Sequence, residues 1–125
     1  MPEECDEMIQ YGINENIIKA SFSLCSSFNK YYILFVVKDI EEFEYYKTKF
    51  QNQVINQKKL ISRFTIFKNY IEIIFFNDSS ILLYPVDCIC GLRAHKVYYS
   101  SNITDTEIIN EKIKPQNNLE YKNNI

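Results

Sequence analysis

The sequence predicts an α+β domain built on a small mixed, mostly antiparallel five-stranded sheet, with one main helix and a short C-terminal helix. Three observations carry that expectation. Tyr31 to Val37 (YYILFVV) is an unbroken apolar run of β-branched and aromatic residues, the pattern of a central strand buried on both faces. Asp39 and Glu42 give a D-x-x-E capping box, followed by Phe43, Tyr46 and Phe50 at helical spacing. Between Leu60 and Tyr84, apolar stretches alternate with the turn signals Lys68-Asn69 and Asn77-Asp78-Ser79-Ser80, as in a β-meander.

In chain order, residues 1–16 read as a polar lead-in with a short helix opened by Pro2. Ile17 to Leu24 alternates loosely around Phe22 and reads as a strand, and Cys25 to Lys30 as a polar turn. The Tyr31–Val37 strand comes next, and then the helix capped by Asp39, fading near Val54. Leu60 to Phe67, Tyr70 to Phe76 and Ile81 to Tyr84 are the meander, which Pro85 ends. Val86 to Arg93 is irregular, and His95 to Tyr99 is a further strand. Thr104-x-x-Glu107 is a second capping box, and Ile108, Ile109 and Ile113 line a short helix that stops before Pro115. The domain is thus expected over 17–115, with 116–125 a frayed polar tail.

The chain has 125 residues, 46% of them hydrophobic, which suffices for one core. Aromatics make up 15%, nine Phe and ten Tyr with no Trp. That is more ring surface than a small domain easily buries. Helices on one face of the sheet would leave the other open, and the surplus rings point to a partner or a homodimer.

Only two glycines are present, Gly12 and Gly91, so no glycine-rich loop can bring several backbone N–H groups up to a phosphate. P-loop nucleotide hydrolysis is excluded by composition. No apolar run reaches membrane-spanning length and no signal peptide is recognisable, so a cytoplasmic protein with no membrane partner is expected.

The formal net charge is -2, unevenly placed. Glu3, Glu4, Asp6, Glu7 and Glu15 make the start acidic, whereas Tyr46 to Ile71 contains Lys47, Lys49, Lys58, Lys59, Arg63 and Lys68 and no acid. This basic stretch is either a solvated face or a docking patch for an acidic protein or for nucleic acid. Arg63 and Arg93 are the only arginines, and with stacked aromatics they could clamp a nucleotide.

Candidates for catalysis are few. Cys88, Cys90 and His95 are the right ligand types for zinc, but a closed site needs four ligands and C-x-C is not the usual knuckle. Four cysteines in an intracellular chain read as small buried hydrophobes rather than disulfides. His95 is the only histidine, so any Cys-His or Ser-His pair must use it; a structural imidazole is the plainer reading. Glu72, Asp78 and Asp87 lack the spacing of a carboxylate pair. Neither a catalytic residue nor a metal or cofactor site is expected.

The stretch Tyr70 to Pro115, YIEIIFFNDSSILLYPVDCICGLRAHKVYYSSNITDTEIINEKIKP, resembles part of the ATPase domain of bacteriophage terminase large subunits. In that family a strand, an N-G-S-type turn, a second strand, a loop ending in a G-x-R-like element and a strand ending in acids follow in order. Asn77-Asp78-Ser79-Ser80 takes the place of the turn, Gly91-Leu92-Arg93 that of the loop element, and His95 to Tyr99 that of the last strand. Ser100 and Ser101 stand where the acid pair belongs, and the phosphate loop is missing. The resemblance therefore implies a relative of phage or mobile-element origin that cannot hydrolyse ATP. The reading is a non-enzymatic binding protein, an inhibitor acting on a host or phage protein. A nucleotide-sequestering domain using Arg63 and Arg93, or a nucleic-acid module using 47–68, are the alternatives.

Overall fold

The computed structural model describes residues 9–121. The short helix expected at Pro2, the acids Glu3, Glu4, Asp6 and Glu7, and Cys5 lie outside the described residues. The elements are β1 (Ile9–Tyr11), α1 (Glu15–Ser27), β2 (Tyr32–Val37), α2 (Ile40–Asn56), β3 (Ile61–Ile66), β4 (Ile71–Phe75), β5 (Ser80–Pro85), β6 (Lys96–Tyr99) and α3 (Thr106–Ile108). A π turn (Ile109–Ile113) and a 3₁₀ turn (Lys114–Gln116) continue α3. No described helix is long and apolar enough to cross a membrane.

The α+β class holds, with one mixed sheet. The six strands among the described residues run in the order β1-β6-β2-β5-β4-β3. β1, β6, β2 and β5 are parallel neighbours, and β5, β4 and β3 form the antiparallel meander. Two details of the expectation are corrected. Edge strand β1 lies within the supposed lead-in and brings the count to six. Parallel pairs also outnumber antiparallel ones, because long-range pairing of β2 with β6 and β5 replaces hairpin neighbours.

Ile17 to Leu24 is helix, not strand. Asn14 caps α1 by accepting the Ile17 N–H at 2.9 Å. Ile18, Ser21, Phe22 and Cys25 then recur on its buried side. α2 forms as expected: Asp39 accepts from the Glu42 N–H at 2.9 Å, and Phe43 and Phe50 are fully buried. The cap of α3 is Asp105 rather than Thr104, accepting from Glu107 N–H at 2.9 Å.

β2 is buried on both faces. Ile33, Phe35 and Val37 join α1, α2 and the meander in one core, whereas Leu34 and Val36 face Val86, Ile89, Ala94, Val97, Ile103 and Ile113 in another. The second face is therefore not open, as had been expected. The 86–94 loop and the C-terminal helical segment cover it, with Ile108 and Ile109 packed on that core. Farther out it carries a stacked ladder of Tyr84, Tyr70 and Phe67, with centroids 4.4 and 4.2 Å apart. Most aromatic residues are thus consumed internally, and the argument for a homodimer across an open face lapses.

The tail, expected to fray from Gln116, is held through Tyr121. Asn117 Nδ2 donates to the His95 carbonyl at 2.9 Å, the Leu119 N–H bonds the Ala94 carbonyl at 3.2 Å, and the Tyr121 ring meets Tyr31, Phe28 and His95.

Candidate functional site

In open parallel sheets, ligands bind beyond the carboxyl ends of the strands, where connections diverge to opposite faces. Here β1 and β2 lead into helices on one face, and β5 and β6 lead into the segments covering the other. The segments that follow these strand ends are the Gly12–Asn14 loop, Lys38-Asp39, Val86-Asp87 and Ser100–Asn102. Gly12 has φ +98°, a conformation that favours glycine, and its N–H bonds the Tyr99 carbonyl at 2.7 Å. That donor is spent on the sheet and does not face a ligand.

Glu42 is the hub of this rim. Its carboxylate accepts from the Lys38 N–H at 2.6 Å, the Ser100 hydroxyl at 2.7 Å and Asn102 Nδ2 at 2.6 Å. The Lys38 bond is the reciprocal arm of the capping box, taken one residue before the cap. Two shallow depressions flank the hub, one lined by Asp39, Glu41 and Tyr46, the other by Asp87, Ile103 and Asp105, with Lys38 and Asn102 common to both. One lysine among five acids, Glu42 included, makes a rim that repels phosphate. Sequence reasoning found Glu42 as a cap but missed its hold on Ser100, 58 positions away.

The basic stretch does not form one patch. Lys47 pairs with Glu44 at 2.7 Å and lies over the Phe43 ring, and Lys49 pairs with Glu15 at 2.9 Å and lies over Tyr45. The Lys49 ammonium holds the Glu15 carboxyl below its ordinary value and is itself raised by the same bond. Lys58 and Lys59 occupy the 3₁₀ turn before β3, Arg63 lies on β3, and Lys68 is in the turn after it. The six residues of β3 put roughly 20 Å between its two ends. All four are exposed. Arg93 is exposed in the loop leading to β6, and β6 lies four strand spacings from β3, roughly 19 Å. Arg63 and Arg93 are not brought together as a clamp.

His95 is buried, stacked on Tyr31 at 5.2 Å, and its Nδ1 accepts the Tyr32 N–H at 3.0 Å. Burial lowers its pKa. Cys88 and Cys90 are exposed on the 86–94 loop, whereas Cys25 is on the buried face of α1 and its thiol is pushed well up by burial. Among the described residues no three His, Cys, Asp or Glu gather as metal ligands.

The feature that sequence reasoning did not find is apolar. Phe76 is 70% exposed, Ile55 64% and Leu60 40%. They lie where the end of α2, the start of β3 and the end of β4 meet. The Phe76 N–H bonds the Leu60 carbonyl at 3.1 Å. Two grooves join here, one lined by Ile55, Lys58, Lys59 and Leu60, the other by Lys59, Leu60, Phe75, Phe76 and Asn77. The only sequence signal was a large ring, Phe76, at an outward position of the β4 in–out alternation.

No family model and no curated protein matches the sequence. Among solved structures, the large terminase of the thermophilic bacteriophage D6E is similar, with a TM-score of 0.59 at 12% identity. The alignment covers 89% of this chain but 30% of that one, so this chain spans less than a third of the terminase. At this identity the likeness is one of fold. It extends the weak terminase resemblance noted over 70–115 to most of the chain, and β4, the 76–79 turn, β5, the 86–94 loop and β6 follow one another in the expected order.

Proposed function

We propose that this chain is a non-enzymatic binding domain of phage or mobile-element origin that docks on a host or phage protein and masks part of its surface. The observation that carries this reading is the apolar patch of Phe76, Leu60 and Ile55 with Lys58 and Lys59 at its border. A large exposed ring set among aliphatic side chains and fringed by charge is the make-up of an interface anchor. Neither lysine has an ion-pair partner among the described residues, which favours an acidic partner surface. The acidic, internally bonded rim at the carboxyl ends of the strands supports the non-catalytic part of the reading. The separation of Arg63 from Arg93 weighs against a nucleotide clamp. The terminase likeness supports the origin.

A photo-crosslinking side chain placed at Phe76, with Tyr45, also exposed, as a control position on α2, tests the reading in cells. A discrete protein adduct should form from position 76 and not from 45. Lys58→Glu with Lys59→Glu should abolish it without lowering the melting temperature, because both lysines are exposed. No protein adduct, an adduct from both positions, or crosslinking to nucleic acid would each overturn the proposal.

A further inference from the structure

Strand β3 ends the sheet: it pairs with β4 on one side, and no described strand lies on the other. The Phe67 N–H donates to the Tyr70 carbonyl at 2.8 Å, closing the hairpin. In an antiparallel ladder, bonded and non-bonded pairs alternate from that closure. Thr65 opposite Glu72 and Arg63 opposite Ile74 are then bonded pairs, and Phe64 and Ile66 aim their N–H and C=O groups away from β4. The result is a row of backbone donors and acceptors on an exposed edge.

Charge says what fits this edge. Lys58, Lys59, Arg63 and Lys68 surround β3, and none of them has an ion-pair partner among the described residues. Antiparallel pairing of β3 with a second copy must set outward residues against outward residues, as in a pair centred on Phe64, and would bring Lys59, Arg63 and Lys68 of both chains to one seam. Like charges gathered along a strand pair destabilise it. A strand carrying acids would meet the opposite situation, with its charges neutralised and its backbone bonds satisfied.

We propose that the free edge of β3 accepts an extended, acidic segment of a partner protein as an added strand. This rests on the docking reading above and names its mode: the segment zips along β3 and reaches the Phe76–Leu60 patch at one end. The competing account is that the cations merely guard an edge against aggregation.

The probe is a short capped synthetic peptide alternating valine and glutamate. Titrated into the isotope-labelled protein, it should slow hydrogen exchange at the Phe64 and Ile66 amides and leave Thr65 unchanged. The same peptide N-methylated on alternate residues cannot bond an edge, and it should bind at least about tenfold more weakly, the equivalent of losing one or two backbone bonds. A valine–lysine peptide should not bind. Ile66→Pro removes one outward N–H while sparing the ladder to β4, and should weaken binding while leaving the β4 and β5 amides protected. Equal binding of the N-methylated peptide, no binding of the acidic one, dimerisation through β3 without peptide, or preferential binding of a single-stranded oligonucleotide would overturn the proposal. If the crosslink from Phe76 persists while the β3 amides never change, the edge mode fails and the docking reading stands.

Discussion

The Ser100 hydroxyl donates to Glu42 Oε2 at 2.7 Å, tying the end of β6 to the first turn of α2. The same carboxylate holds Asn102 and the Lys38 amide, so the segments after β2 and β6 share one acceptor group on α2. Glu42→Ala should cost about 2 kcal/mol, since the lost bonds are charge-assisted but partly solvated. Glu42→Gln, which keeps one acceptor oxygen, should cost about half as much. Urea denaturation gives both values. An unchanged midpoint for Glu42→Ala would mean that the rim is held by other contacts.

A second prediction concerns His95. Its Nδ1 is an acceptor for Tyr32, and burial holds its pKa below the ordinary value of 6.5. The unfolded chain therefore takes up the proton first as pH falls below 6.5, and stability declines with falling pH in that window before the carboxylates titrate. Protonation also turns Nδ1 into a donor facing another donor. His95→Gln should be less stable near neutrality but should lose this pH dependence. Thermal melts of both proteins across mildly acid pH check the slope. A parent protein whose stability is flat there would contradict the prediction.

Much of this fold could be read locally, and what escaped was non-local. The Tyr31–Val37 run signalled a doubly buried strand because both alternating sets, Ile33/Phe35/Val37 and Leu34/Val36, are apolar. α2 was visible because its cap and its aromatic stripe agree. Ile17 to Leu24 was misread because its loose alternation competes with a weaker helical signal, the Ile18, Phe22, Cys25 spacing behind the Asn14 cap. β1 has three residues, and only pairing with β6 makes it a strand. The parallel neighbours of β2 are set by long-range packing that no window of sequence contains. At the candidate site the lysines were legible as charge. The exposure of Phe76, however, follows from where β4 ends against Leu60.

The cysteines should divide by reactivity. Cys25 is fully buried, its thiol pushed up by desolvation and its Sγ 3.6 Å from the Tyr31 carbonyl, so little reactive thiolate forms. Cys88 and Cys90 are exposed. In a Cys5→Ser background, a thiol reagent should modify Cys88 and Cys90 rapidly in native buffer and Cys25 only on unfolding, as read by mass spectrometry. Equal rates at all three sites would show that α1 opens readily.

Asn77 gives the last prediction. It joins the end of α1 to the β4–β5 turn and sits next to Phe76. Its Nδ2 donates to the Cys25 carbonyl at 2.8 Å and the Phe28 carbonyl at 3.2 Å, and its Oδ1 accepts from the Ser79 N–H at 3.0 Å. Ser79 completes the joint: its hydroxyl donates to the Phe28 carbonyl and accepts the Tyr31 N–H at 2.9 Å. Asn77→Ala removes three bonds and should cost about 2–3 kcal/mol. Asn77→Asp is more informative. The carboxylate keeps the acceptor for Ser79 but turns a second negative oxygen toward two carbonyls, so at neutral pH it should be at least as damaging as alanine. Protonation would restore a donor, which raises the folded-state pKa of the introduced carboxyl above its unfolded value. Stability relative to the parent should therefore recover as pH falls through that raised pKa, whereas the alanine penalty should stay constant. Urea denaturation of the parent and both variants at neutral and mildly acid pH separates the two behaviours. An aspartate penalty that does not shrink on acidification would show that the side chain at 77 turns to solvent, and that Phe76 is positioned by the backbone of the turn alone.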